Sequence, residues 1–152
     1  MKIDPTQPAL ARVEFPGGRG SSRVRPLITP DTKPHYDGLR NGHLLLPECE
    51  ACGHVGASVG ACCQRCGSDK RRWRESSGAG VVHSWVRYHR AYLPEFEALV
   101  PYAVIAARLD DGPVMFGRWL SEREPTIESP VQGVIEHWAD DFCGLAFGER
   151  RK

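Results

Sequence analysis

Residues 49–67 read CEACGHVGASVGACCQRCG and contain two cysteine pairs, Cys49/Cys52 and Cys63/Cys66, with two residues inside each pair. A C-x2-C turn brings two sulfurs close enough to share one metal ion, and a second turn completes a tetrahedron. A glycine follows each pair, where the backbone must turn sharply and a residue without Cβ takes positive φ freely. Four thiolates leave no open coordination position, so the pattern predicts a structural Zn²⁺ site in a rubredoxin-like zinc ribbon.

The same residues leave two alternatives open. An iron centre of the rubredoxin type uses the same four-thiolate geometry. Cys62 adjoins Cys63 and would form a C-x3-C pair in its place, although the two-residue loop and the glycine after it favour Cys63. In either case the ribbon is too short to bury much apolar surface, so we expect the metal to supply much of its folding energy.

Composition indicates a globular chain of 152 residues, 41% hydrophobic and 26% charged. No apolar run approaches the ~18 residues of a membrane span, and the first residues lack the apolar core of a signal peptide. We therefore expect no membrane association and a cytoplasmic location, where thiols stay reduced and bind metals. The formal charge of +1 argues against a general nucleic-acid binder, which usually has a clear basic excess.

Three regions follow one another along the chain. Residues 1–32 are rich in proline and form an extended N-terminal arm, either a disordered tail or a segment that lies on a partner. Residues 33–76 hold a short helix and the ribbon, with Leu44–Leu46 as its leading strand. Residues 77–152 form the larger domain.

The larger domain shows five β-like segments and no long helix. They are residues 81–90, 103–109, 114–120, 131–138 and 143–147. The turn sequence Asp110–Pro113 joins the second segment to the third. Short strands of this number predict a small Greek-key barrel of the OB-fold type, so the fold class is mainly β.

Several sequence groups occur in one order: GLRNGHLL (38–45), CEACG (49–53), CQRCGS (63–68), SGAGVV (77–82), VPYAV (100–104) and LDDGP (109–113). In this order they resemble the zinc-ribbon/OB-fold proteins called acyl-CoA-associated, a family first catalogued as a domain of unknown function, DUF35. The resemblance covers about residues 33–147. It departs from the family at Gln64, where proline is usual, and before Val131, where a glycine is frequent; neither position is a metal ligand.

This resemblance implies an accessory subunit with no catalytic residue of its own. Such proteins form hetero-oligomers with a thiolase or a thiolase-like aldolase, which makes or cleaves a C–C bond in an acyl-CoA. The substrates of such complexes include steroid, aromatic and short-chain acyl-CoA. The catalytic nucleophile belongs to the partner, and the acyl-CoA is reached through the partner.

A basic cluster surrounds the second cysteine pair and includes Arg65, Arg71 and Arg72, with Lys70 and Arg74 beside them. Its simplest interpretation is a solvated face that offsets the negative metal centre. The functional interpretation is a contact for coenzyme A phosphates or for an acidic patch on the partner. An RNA contact is a third interpretation, since OB-folds bind single strands through basic grooves.

Aromatic and cationic residues alternate on the first strand of the barrel and beyond it. They are Trp85, Arg87, His89, Arg90 and Tyr92, with Arg118 on a later strand. Such residues can stack nucleic-acid bases or form a protein–protein interface. The resemblance favours the interface. Two rival functions remain: a module that binds single-stranded nucleic acid, and a free-standing acyl-CoA binder.

Cys143 lies in an apolar run and is expected to be a small buried hydrophobic residue. A nucleophile formed by Cys143 and His137 is a weaker hypothesis, because nothing in the motif orients either group.

Overall fold

The four-cysteine segment lies between two antiparallel strands in the computed structural model of this chain, which describes residues 9–17 and 25–150. The described part contains one α-helix, α1 (Lys33–Asn41), and is otherwise mainly β, as predicted. The strands are β1 (Arg12–Glu14), β2 (Leu44–Cys49), β3 (Arg71–Ser76), β4 (Ala79–Tyr88), β5 (Tyr102–Leu109), β6 (Val114–Trp119), β7 (Pro130–Ala139) and β8 (Phe142–Glu149). A turn of 3-10 helix (Pro94–Phe96) interrupts the connection between β4 and β5.

Five of these strands close into a barrel. β4 pairs antiparallel with β5, and β5 pairs antiparallel with β6. β6 runs parallel to β8, β8 pairs antiparallel with β7, and β7 returns to β4. This order is that of an OB-fold, so the predicted barrel is confirmed. Each strand begins and ends within about two residues of the segment predicted for it.

Alternate residues of the strands fill the barrel interior. Ile105, Ile135 and Phe147 are fully buried there, and each buried side chain of this size contributes about 1.5–3 kcal/mol. A β-bulge between Val82 and Ser84 shifts the alternation of β4. The side chain of Trp85 consequently packs against the core.

Strands β1 and β3 were not predicted. The sequence of β3, RRWRES, is mostly polar, and its six residues pair with the fully buried strand β2 from Leu44 to Cys49. β1 lies in the predicted N-terminal arm and runs parallel to β7, where Ile135 N–H donates to Ala11 O at 2.8 Å. Residues 1–8 and 18–24 of the arm lie outside the described residues.

The short helix was predicted within residues 33–44 and ends at Asn41. Gly42 terminates it with a φ of 97°, and its N–H donates to the last-turn carbonyls of Gly38 and Leu39. Leu39, on the helix, is buried where the helix packs against the hydrophobic core. Within the described residues, no helix has both the length and the apolar character needed to cross a bilayer.

One aspartate joins the ribbon to the barrel. Asp111, in the turn between β5 and β6, accepts a hydrogen bond from Ser76 Oγ at the end of β3. Its other oxygen lies 3.1 Å from Arg74 Nη2. The last turn of the ribbon is therefore fixed to one end of the barrel by a charged, partly buried contact.

Candidate functional site

The four predicted metal ligands lie together at the tip of the ribbon. The sulfurs of Cys49, Cys52, Cys63 and Cys66 are all within 4.8 Å of one another. Sγ of Cys49 is 3.6 Å from Sγ of Cys66, and Sγ of Cys52 is 3.7 Å from Sγ of Cys63. Sulfurs at the corners of a tetrahedron around one Zn²⁺ are roughly 3.8 Å apart. The cluster therefore fits one tetrahedral metal ion and leaves no position for a substrate.

The backbone around each pair makes the turn that the sequence predicts. Gly53 N–H donates to Cys49 O at 2.9 Å, and Gly67 N–H donates to Cys63 O at 2.8 Å. Both glycines have positive φ, 71° and 77°. A side chain would strain this conformation at either position, since only glycine takes it freely.

Backbone amides favour the thiolate at three of the cysteines, and at two of them they lower the pKa overall. The N–H of Cys52 is the main cause that holds the pKa of Cys49 at about 7, below its ordinary value. The N–H of Arg65, which lies 3.4 Å from Cys63 Sγ, lowers the pKa of Cys63. At Cys66 the N–H of Ser68 favours the thiolate, but the neighbouring thiols of Cys52 and Cys49 raise the pKa to about 12. Charges this close repel, and a divalent cation at the centre removes that repulsion.

Cys62 does not belong to the cluster. Its side chain is exposed, and Cys63 holds the place beside Cys52 instead. The geometry thus agrees with the C-x2-C spacing rather than with a C-x3-C pair.

Three of the arginines near the second cysteine pair are ion-paired. Arg72 reaches Glu48 with two nitrogens, at 3.0 and 3.2 Å, and lowers the pKa of that carboxyl. Arg71 lies 2.8 Å from Asp31 and also donates to a backbone carbonyl. Arg74 pairs with Asp111 as described above. Arg65, which lies between Cys63 and Cys66, is exposed. The role of this cluster as a coenzyme A or partner contact stays a prediction.

The structure divides the predicted aromatic and cationic residues of β4 and its exit into two groups. Trp85 and Arg87 lie together, with the guanidinium 5.8 Å from the indole ring and 2.7 Å from Glu124. The second group occupies the β4–β5 loop, residues 89–101, where His89 and Arg90 are exposed. The guanidinium of Arg90 lies 5.8 Å over the ring of Tyr92.

Arg118 is held by a buried carboxylate that sequence reasoning missed. Its side chain is only 14% exposed, and that of Glu136 is 1% exposed. Both Nε, at 3.0 Å, and Nη2 of Arg118 donate to the same oxygen of Glu136. Burial is the main cause that raises the pKa of Glu136, and the hydrogen bonds from Arg118 oppose it. An outward strand position predicts solvent exposure, so no sequence signal marked this residue.

An aromatic cover explains the burial of Glu136. Phe15, just after β1, stacks on Trp138 of β7 with ring centroids 3.8 Å apart. Phe96 of the β4–β5 loop packs against both rings, at 5.3 and 5.6 Å. Arg118 lies 6.0 Å from the ring of Phe15. The arm and the loop together thus shield this part of the outside of the barrel.

Cys143 and His137 are opposite each other on β8 and β7. Burial raises the pKa of Cys143, which disfavours the thiolate that a nucleophile needs. His137 instead faces Glu14 of β1, with Nδ1 and a carboxylate oxygen 3.3 Å apart. This arrangement agrees with a structural cysteine.

Two of the cavities in the described part of the chain lie near predicted site residues or loops. One, of about 230 Å³, lies beside the ribbon between His54, Arg71 and the turn residue Pro113. The other, of about 270 Å³, lies at the loop between β6 and β7 and is bordered by Arg123 and Glu149. Both are smaller than the roughly 300–1,000 Å³ typical of small-molecule sites.

Comparison with known proteins relates the chain to one family. Residues 73–136 match the family described as the ChsH2 C-terminal OB-fold domain. A solved structure named Ltp2-ChsH2(DUF35) aldolase superposes with a TM-score of 0.74 at 25% sequence identity. That match covers 82% of this chain and 98% of the solved chain. A DUF35-family protein of unknown function from Sulfolobus solfataricus superposes with a TM-score of 0.56 at 14% identity, over 80% of this chain and 86% of that one.

A curated relative is the probable enoyl-CoA hydratase alpha subunit of Thermomonospora curvata. It is 32% identical over 90 residues, which are 59% of this chain. The match spans 28% of that relative, so the chain corresponds to about a quarter of its length. The matched barrel residues and the Ltp2-ChsH2(DUF35) structure together support a DUF35 OB-fold protein, and the Sulfolobus solfataricus structure supports the same fold.

Proposed function

We propose that this chain is a non-catalytic accessory subunit of an enzyme that acts on an acyl-CoA. One observation carries the proposal: the chain covers 98% of a solved chain named as part of an Ltp2-ChsH2(DUF35) aldolase, with a TM-score of 0.74. The curated relative is named as the alpha subunit of a probable enoyl-CoA hydratase, which also points to acyl-CoA chemistry in an assembly.

The partner in this proposal is a thiolase or a thiolase-like aldolase. It supplies the groups that make or cleave the C–C bond, and this chain supplies structure. The four-thiolate cluster supports that division, because a site with four protein ligands has no position left to activate water or polarise a carbonyl. The ion in the cluster is Zn²⁺ in this proposal, and it holds the ribbon folded.

The rival functions have less support in the structure. A single-strand binder needs free cations along a groove, whereas Arg87, Arg108 and Arg118 each lie within 3.0 Å of a carboxylate. A free-standing acyl-CoA binder needs a cleft that encloses most of its ligand, and the cavity beside the ribbon and the cavity at the β6–β7 loop are both small for that purpose.

Purification of the intact tagged chain from its native host, under mild conditions, tests the proposal. We expect a thiolase-like chain in stoichiometric amount, identified by mass spectrometry, and about one zinc per chain by elemental analysis. Recovery of nucleic acid alone would favour the rival binding module. Binding of CoA thioesters by the chain alone would favour the free-standing binder. A red, iron-containing preparation would show that the bound ion is iron instead of zinc, and the proposed accessory role would not change.

A further inference from the structure

The outside of the barrel carries an apolar surface that spans three adjacent strands. Cross-strand partners lie on the same face of a sheet, and pairing places Val86 beside Val104, Ser84 beside Ala106, and Tyr88 beside Tyr102. Phe116 of β6 lies beside Ala106 in the same way. Ile105, which lies between Val104 and Ala106 on β5, points the other way into the core and is fully buried. We call this surface the outer face; it comprises Val86, Tyr88, Tyr102, Val104, Ala106 and Phe116.

The described residues cover only the region beside this face. The aromatic cover of Phe15, Phe96 and Trp138 extends to Tyr102, whose ring lies 5.2 Å from Phe96. Beyond Tyr102 the cover stops. Phe116, Val86 and Tyr88 are 70%, 53% and 37% exposed, and the half-buried Val104 and the buried Ala106 lie between them on β5. Exposed apolar side chains grouped in this way mark interaction sites in soluble proteins.

The charges around the outer face favour a protein as its occupant. Arg118, beside Val104, pairs with Glu136, and Arg108, at the far end of β5, pairs with Glu128. These cations are already neutralised, so a phosphate backbone would find little to bind. An apolar centre with polar groups at its edge is instead the usual composition of a protein–protein interface.

One cation at the edge has no carboxylate partner within the described residues. Arg90 follows β4 directly, is exposed, and contacts Tyr92 through its guanidinium. Arginine and tyrosine are the residue types that contribute most to binding at interfaces. A carboxylate on the occupant would complete the charge pairing at this edge.

We propose that the outer face is the docking surface for the catalytic partner subunit, and that the occupant is an apolar surface of that subunit bordered by an acidic side chain opposite Arg90. This inference rests on the proposed function and adds the place of contact. The aromatic cover then has a second role, since it fixes the β4–β5 loop that carries Arg90 and Tyr92.

Substitution of Phe116 tests the proposal, with Leu27 as the matched control. Both side chains are large, apolar and exposed, but Leu27 lies in the arm and is 86% exposed. Phe116→Arg and Leu27→Arg are expected to unfold at the same temperature as the original protein. Each tagged variant is purified from the native host, and the thiolase-like chain that accompanies it is quantified. The dissociation constant between that purified partner and each variant is then measured by interferometry.

We expect Phe116→Arg to weaken binding about tenfold or more, while Leu27→Arg leaves the dissociation constant unchanged. Arg90→Glu should lower the association rate and reduce its dependence on salt. Full binding by Phe116→Arg would overturn the docking surface and leave the accessory role intact. Loss of binding by Leu27→Arg alone would move the contact to the arm and also overturn it. A wild-type chain that brings no thiolase-like partner would overturn both the docking surface and the proposed function.

Discussion

Cys62 and Cys63 are adjacent in the chain but lie in different surroundings. Sγ of Cys63 is 3.7 Å from that of Cys52, whereas Cys62 is exposed outside the cluster. We expect Cys63→Ser to lower the bound metal from about one ion per chain to nearly none, because three thiolates hold the ion weakly. Elemental analysis after gel filtration measures this loss. Because the metal holds the ribbon folded, the ribbon should also lose its cooperative thermal transition when the metal is lost.

Cys62→Ser is the control for that experiment. An exposed side chain with no role in the cluster usually changes stability by less than about 0.5 kcal/mol, and metal content should not change. The reverse result, with metal lost in Cys62→Ser and kept in Cys63→Ser, would establish the C-x3-C alternative.

The ion pair between Arg118 and Glu136 gives a second prediction for single residues. Arg118→Met leaves a buried carboxylate without its partner and should lower the free energy of unfolding by about 3–5 kcal/mol. The double variant with Glu136→Leu should regain most of that loss. Urea unfolding measures the free energy of unfolding of both variants.

Arg108→Met is the control, because it removes an exposed ion pair with Glu128 and should lower the free energy of unfolding by less than about 1 kcal/mol. Equal losses at the two sites would contradict the burial of Glu136.

The raised pKa of Glu136 predicts a pH dependence. The folded protein binds this proton more tightly than the unfolded chain, whose value is near 4.5. The contribution of Glu136 to stability is therefore fully present below that value and is lost as pH rises through the folded pKa. The stability of the original protein relative to Glu136→Gln should fall between acidic and neutral pH, which urea unfolding at a series of pH values can measure. A relative stability that rises with pH would mean that Arg118 outweighs burial.

At the level of elements, β1 depends on one aromatic contact. Phe15 is buried against Trp138, and its N–H donates to His137 O at 2.9 Å. Phe15→Ala removes most of the surface that holds β1 on β7, and loss of a buried phenyl group costs about 3–5 kcal/mol. We expect hydrogen exchange at residue 15 to become about a hundredfold faster or more, with barrel amides unchanged.

Val13→Ala is the matched control, because Val13 lies on β1 and is 36% exposed, whereas Phe15 is buried. Its exchange should resemble that of the original protein. If Phe15→Ala instead destabilised every barrel strand equally, the arm would belong to the cooperative core rather than lie on it.

The sequence indicated the barrel strands well because each one alternates or is bounded by turn residues. The turn sequence Asp110–Pro113 predicted the hairpin between β5 and β6, and the cysteine spacing predicted the cluster of four sulfurs. β3 was missed because its polar sequence forms a strand only by pairing with β2. Glu136 was missed because its burial depends on Phe15, more than a hundred residues earlier in the chain. Contacts of that range leave no mark on the local pattern.

At the scale of the whole molecule, a series of contacts connects the ribbon to the barrel and to the outer face. The tip that carries the four cysteines continues into β3, Asp111 fixes the end of β3 to the turn between β5 and β6, and β5 and β6 carry much of the outer face. Metal loss should therefore disturb the proposed docking surface as well as the ribbon. The proposal treats the chain as a rigid adaptor whose surface, not its chemistry, serves the partner.

The most direct test is reconstitution of the partner's C–C bond reaction from separately purified chains. The partner is assayed with its acyl-CoA substrate alone, with this chain, and with the metal-free Cys63→Ser variant. An accessory subunit predicts full turnover only when the partner and the metal-loaded chain are present together. A partner that turns over at the same rate without this chain would contradict the account.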